Sequence, residues 1–154
     1  MSARAMNDVH GIKCNLAKDV LRSSGKLRLQ VAGWSMLPSI WPEDTLIIER
    51  ASCASISKGD VVLFGREQRL FVHRVVGKPD RSASVLTKGD AMDVPDSPVG
   101  ENELLGKVTF IVRNGRLLRP RTKLRIRDRA VAALVRHSET GARAVVVAHR
   151  FVNE

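Results

Sequence analysis

The sequence changes hydrophobic period near Gly25, and this change constrains the fold more than any other feature. From about Asn7 to Ser23, Ile12, Leu16, Val20 and Leu21 recur at helical spacing, and Gly25 is a natural stop. Beyond it the apolar residues come in runs of strand length. Leu27, Leu29 and Val31 alternate with Arg28 and Gln30, as in a half-buried strand. Asp44–Glu49, Asp60–Phe64, Leu70–Val76, Ser84–Thr87 and Lys107–Val112 follow, each bounded by turn residues. Gly65-Arg-Glu-Gln reads as a hairpin link, and Asn114-Gly115 is a strong tight-turn signal. No helical interval separates these runs, so the expected fold is mainly β, a coiled sheet or partial barrel. The tail from about Leu124 to Val152 reads as two short helices parting near Gly141, the first with an apolar stripe of Val131, Leu134 and Val135. The expected organisation is a helical segment over 1–25, a β domain over 26–118 and a basic helical tail over 119–154.

Composition narrows the function. A chain of 154 residues, 44% of them hydrophobic, makes one domain with a real core. Aromatics are only 4%, with no tyrosine, so stacking platforms for single-stranded nucleic acid are scarce. Cys14 and Cys53 are too few for a disulfide scaffold, and the four histidines form no metal-binding motif, so neither a metal nor a cofactor is expected. The longest uncharged apolar run near the C-terminus, Ala144–Ala148, falls far short of the ~20 residues of a membrane span. The first twenty residues lack the apolar core of a secretory signal, which leaves the cytoplasm as the expected location.

The excess of 26 basic over 16 acidic residues is concentrated late in the chain. From Arg113 to Arg150 there are 11 Lys and Arg against only Asp128 and Glu139. This run reads as a solvated surface rather than a nucleic-acid site, and a weak contact of the basic tail with an anionic membrane surface stays open.

Three segments put reactive side chains where strands meet loops. In Gly33-Trp34-Ser35-Met36-Leu37-Pro38, glycine permits a sharp bend and proline limits the exit. A serine at such a strand end can act as a nucleophile beside backbone N–H groups, although an isolated turn serine usually just bonds its own backbone. In Leu70–Val76, His73 shares a strand face with Phe71 and Val75. A histidine among apolar neighbours is more often a core residue than a base, yet no side chain is better suited to accept a proton from serine near neutral pH. The adjacent Arg74 does not deprotonate and cannot serve. The third segment, Lys88-Gly89-Asp90-Ala91-Met92-Asp93-Val94-Pro95-Asp96, holds three carboxylates, Asp90, Asp93 and Asp96, any of which could orient a histidine.

Together these segments resemble the signal peptidase I family, within the wider class of serine proteases that includes LexA-like self-cleaving repressors. GWSMLPSIWPEDTLIIE is similar to the nucleophile box, with Ser35 as the serine and Gly33, Met36 and Pro38 around it. KGDVVLF and FVHRVVG are similar to the second and third boxes, TKGDAMDVPDS to the closing box, and ENELLGKV follows in order. Bacterial signal peptidases and LexA-like proteins carry lysine at the position of His73, whereas the endoplasmic-reticulum and archaeal branch carries histidine. The resemblance therefore implies a Ser35–His73–Asp96 triad, with Lys88, Gly89 and Asp90 supporting the loop. It also implies an oxyanion hole resting on the Ser35 N–H, because Gly33 replaces a serine that many signal peptidases use as a second donor.

The expected activity is thus a serine endopeptidase that cleaves a precursor or leader peptide, in soluble form without the family's membrane anchor. Two alternatives use the same fold: a LexA-like self-cleaving regulator, and a peptide-binding module without turnover. Against the regulator stand the shortness of the chain before Leu27 and the absence of a lysine in place of His73.

Overall fold

The structure, a computed structural model, describes residues 3–79 and 83–136. Helix α1 (Ala3–Ser24) leads into strand β1 (Lys26–Gln30). Strand β2 (Thr45–Arg50) and a 3-10 turn at Cys53–Ser55 precede β3 (Val61–Arg66) and β4 (Arg69–Gly77). Then come β5 (Ser84–Lys88), β6 (Val99–Gly100), β7 (Leu104–Arg113), β8 (Arg116–Leu118) and helix α2 (Ile126–Arg136). The eight strands make one open antiparallel sheet in the order β1-β2-β7-β3-β4-β5-β6, with β8 added to β7. The fold is mainly β with a helix at each end, and the second tail helix expected past Gly141 lies outside the described residues.

Short runs became strands where they had partners. β7 begins at Leu104, three residues before its alternating run, because Leu104 pairs with Phe64 of β3. Its far half pairs with β2 on one edge and β8 on the other. Where β7 passes β2, a Cβ on Gly106 would lie 2.5 Å from the Glu49 carbonyl oxygen, so only glycine allows the two strands this close. Two hairpin turns have both central residues at positive φ. One is Asn114-Gly115, as the sequence suggests; the other is Glu67-Gln68, whose side chains do not favour that backbone.

β3 is buried on both faces, which explains its unbroken apolar run. Val61 and Leu63 join a core with Leu46, Ile48, Val108, Ile111 and Leu21 of α1. Val62 and Phe64 point the other way, into a core with Val75, Val85 and Val99. α1 packs through Cys14, Ala17 and Leu21, while Ile12 and Leu16 of the helical apolar pattern are exposed. Small residues face the sheet because α1 crosses close to Gly65, where a Cβ would meet the Cys14 sulfur at 2.9 Å. In α2, Val131 packs beside Leu37 and Ala91, and Ala132 is buried.

Arg66 and Glu103 form a clasp that holds the end of the long loop after β5. Arg66 donates Nε and Nη2 to the two Glu103 oxygens at 2.6 and 2.8 Å. The same guanidinium donates to the carbonyls of Ser97 and Pro98 at 3.2 and 2.9 Å. These hydrogen bonds from Arg66 hold the Glu103 carboxyl below its ordinary 4.5. A depressed carboxylate contributes its stabilisation above the unfolded value and loses it as pH falls through the folded one. Glu103→Gln should therefore destabilise the protein by on the order of 1 kcal/mol at neutral pH. In thermal melts, the gap to wild type should be full at pH 7 and narrow as pH drops below 4.5.

Candidate active site

The chain leaves β1 and turns sharply, and the turn itself presents Ser35. Leu37 N–H donates to the Trp34 carbonyl at 3.1 Å, and Ser39 and Ile40 N–H groups donate to that of Met36 at 2.9 and 3.0 Å. Met36 and Leu37 are buried beneath the turn, so apolar burial fixes the backbone that displays the hydroxyl. The Leu37–Pro38 peptide bond is cis. Farther along, the Asp44 carboxylate is buried and accepts both Arg113 Nε and Nη2 at 2.8 and 2.7 Å. Arg113 also donates to the Ser39 carbonyl at 3.1 Å. The first arginine of the late basic run is therefore a strut of the serine loop rather than part of a solvated face.

His73 sits on β4 opposite Val62, with its ring edge-on to Phe64 at 5.8 Å and only 5% exposed. Its apolar neighbours are real, yet both ring nitrogens have polar partners. Nδ1 lies 2.6 Å from Asp96 Oδ2, and Nε2 lies 3.2 Å from Ser35 Oγ. Since an ionised carboxylate only accepts, Asp96 places the proton on Nδ1 and leaves Nε2 to accept from the serine hydroxyl. Asp96 is itself fixed by Thr87, whose hydroxyl donates to the same Oδ2 at 2.7 Å and whose carbonyl accepts the Asp96 N–H at 2.8 Å. Thr87 is wholly buried.

The remaining loop residues divide cleanly. Asp90 meets Arg74 rather than His73, in a buried bidentate pair with both bonds at 2.8 Å. Asp93 is exposed, and Asp96 is in contact with the imidazole. Lys88 ends β5 beside Arg74 and lines a depression shared with α2, away from the serine. Gly89 is where the loop crosses the site. A Cβ there would stand 2.7 Å from the Ser35 carbonyl and 3.2 Å from His73 Nε2. The next strap is the Ala91 N–H, which donates to the same Ser35 carbonyl at 2.9 Å. Gly33 is exposed, with no atom near the position its Cβ would take.

A cleft of about 380 Å³ runs from Ser35 between two strand ends. One wall is Leu29–Gly33, and the other is Arg69–Val72 of β4. β1 pairs only with β2, and β5 joins β4 only from Arg74 onward. Among the described residues, both walls thus have an unpaired backbone edge. No cluster of three or more His, Cys, Asp or Glu among the described residues is placed to hold a metal ion.

Strand order, serine turn and loop together define a mainly β chain with a Ser–His–Asp hydrogen-bonded row at one end of its sheet. The family model described as Peptidase S24-like matches residues 3–109, and the chain belongs to that family, which includes serine peptidases and LexA-like self-cleaving regulators. The match spans Ser35, His73 and Asp96. No curated protein matches the chain.

Sequence reasoning did not find Thr87, the Arg113–Asp44 strut or the Arg74–Asp90 pair. Arg113 and Asp44 are 69 residues apart, and nothing local marks either of them. Gly89→Ala should push the loop off the serine. The expected signs are a loss of about 1–3 kcal/mol in stability, as for overpacking, and a shift of the downfield proton NMR resonance from His73 Nδ1–H.

Proposed function

We propose that the protein is a serine endopeptidase of the histidine-type, signal-peptidase-like branch, cleaving a precursor or leader peptide. The observation that carries this reading is the continuous row Asp96–His73–Ser35, at 2.6 and 3.2 Å. Ser35 Oγ attacks the scissile carbonyl while His73 Nε2 takes its proton. The imidazolium, stabilised by Asp96, then protonates the leaving amine. A water, activated by the same Nε2, hydrolyses the acyl-enzyme. The Ser35 backbone N–H stabilises the oxyanion, with Gly33 contributing no side-chain donor.

The cleft's unpaired edges support a substrate bound as an extended strand between β1 and the first half of β4. Small residues before the cut follow from the resemblance to signal peptidases. Among the described residues no helix is long and apolar enough to cross a membrane.

Ser35→Ala and His73→Ala should each abolish cleavage of a peptide library read by mass spectrometry, with the thermal melt of Ser35→Ala unchanged within a few degrees. Wild-type cleavage at bonds that Ser35→Ala also cuts would refute the mechanism, and intact-mass loss from wild type incubated alone would point to self-cleavage. Gly33→Ser offers a gain-of-function test. The position has room for a hydroxyl, and a second oxyanion donor should raise kcat by up to roughly 10²-fold with little change in KM.

A further inference from the structure

The cleft beside Ser35 is apolar along its floor, where Leu29, Val31, Met36, Leu70, Phe71 and Val72 contribute. Three basic side chains also line it, His10 and Lys13 from α1 and Arg69 from β4, beside the neutral amide of Gln30. No Asp or Glu lines it. His10 and Lys13 are three residues apart on α1 and share a helix face. α1 is held over the β3–β4 turn, since a Cβ on Gly11 would meet Gln68 Oε1 at 2.9 Å. This seat brings His10 and the cationic Lys13 to the same cleft as Arg69. Both Lys13 and Arg69 are exposed, and among the described residues neither is in an ion pair. Their charge is uncompensated within the cleft, unlike that of Arg66, Arg74 and Arg113, each of which has a carboxylate.

Position along the strand sets the distance from the chemistry. Arg69, Phe71 and His73 alternate onto one face of β4, so Arg69 lies four residues from the imidazole, or about 13 Å at the strand rise. An extended peptide in the cleft advances at the same rise. Its residue about four places from the scissile bond comes level with Arg69.

We propose that Lys13 and Arg69, with His10 beside them, form an acidic-residue subsite, so that the preferred substrate carries Asp or Glu three to five residues from the cut. This rests on the endopeptidase reading and goes beyond it by naming the substrate class. The long cationic side chains select the charge, while the apolar floor accepts the residues between it and the bond that breaks. Since the two cations are exposed, the selection is ionic-strength dependent.

The test is a peptide-library digestion with wild type, Lys13→Glu, Arg69→Glu and the double variant, with Ser35→Ala as the blank. Wild-type cuts should be enriched in Asp or Glu at one position three to five residues from the bond. For a matched pair of peptides, one with Glu and one with Gln at that position, the double variant should lower the Glu-to-Gln ratio of kcat/KM by roughly fivefold to tenfold. Raising the salt should shrink the wild-type ratio. A structural effect would lower both peptides together and leave the ratio unchanged. Ser35-dependent cuts without acidic enrichment, or enrichment that survives the double variant, would overturn the subsite and spare the endopeptidase. If no cut depends on Ser35, the endopeptidase reading fails. The subsite is then judged by fluorescence anisotropy of the same labelled peptide pair on Ser35→Ala. Tighter binding of the Glu peptide, lost when Lys13→Glu and Arg69→Glu are added, supports it; equal binding refutes it.

Discussion

The buried pair between Arg74 and Asp90 organises everything around the serine. Arg74 follows His73 in β4, and Asp90 follows Gly89 in the loop, so joining the two sets how that loop lies on the strand. The guanidinium has donors to spare. It also reaches the Gly59 carbonyl at 3.0 Å, the Ser39 hydroxyl at 3.2 Å and the Arg121 carbonyl. One side chain thereby connects the serine loop, the approach to β3 and the segment before α2. Burying two charges is costly, and such a pair is seldom worth more than a well-packed apolar substitute. Its effect is specificity of geometry, because removing either partner would strand the other charge away from water.

Strand alternation lets neighbouring residues do opposite work. His73 turns toward Phe64, Asp96 and Ser35, while Arg74 turns to the other face and anchors the loop. Holding an imidazole within hydrogen-bond reach of a hydroxyl requires every side of the ring to be constrained. Here Thr87 and the loop fix the acid, the aromatic rings fix the imidazole plane, and Gly89 lets the backbone pass within contact of both partners. The Arg66–Glu103 clasp completes the arrangement by securing the carbonyls just after Asp96. A hydrogen-bonded row of this kind can move a proton without rearranging the protein, which is what nucleophilic catalysis by serine demands.

The helix before β1 lines the cleft as well as packing on the sheet. Its small residues let it lie close to β3, and that seat carries Lys13 to the cleft wall opposite the end of β1. Cys53, in contrast, is a buried thiol of the second core. Burial and the nearby Glu101 carboxylate push its thiol up to about 11, so it stays protonated beside Val99.

Local pattern was enough for the six longer strands but not for the short β6 and β8, and it marked the Asn114-Gly115 turn and the serine, histidine and acidic-loop segments as the places to look. Those features depend on neighbours within a few residues, through alternation, turn chemistry and motif spacing. Choosing Asp96 among three loop carboxylates needed the resemblance, and its contact with His73 needed the fold. The strand order was not legible, because β7, which begins only at Leu104, enters between β2 and β3, which end at Arg50 and Arg66. Nor was the inward face of α1, where Cys14 and Ala17 are buried and the larger Ile12 and Leu16 are not. Thr87, the Arg113–Asp44 strut and the cationic lining of the cleft share one cause. Each depends on side chains brought together across the sheet, and a one-dimensional pattern carries no record of which distant residues will meet. What the sequence by itself determined was which segments become strands and which side chains have the chemistry; only tertiary packing decided which of them face one another.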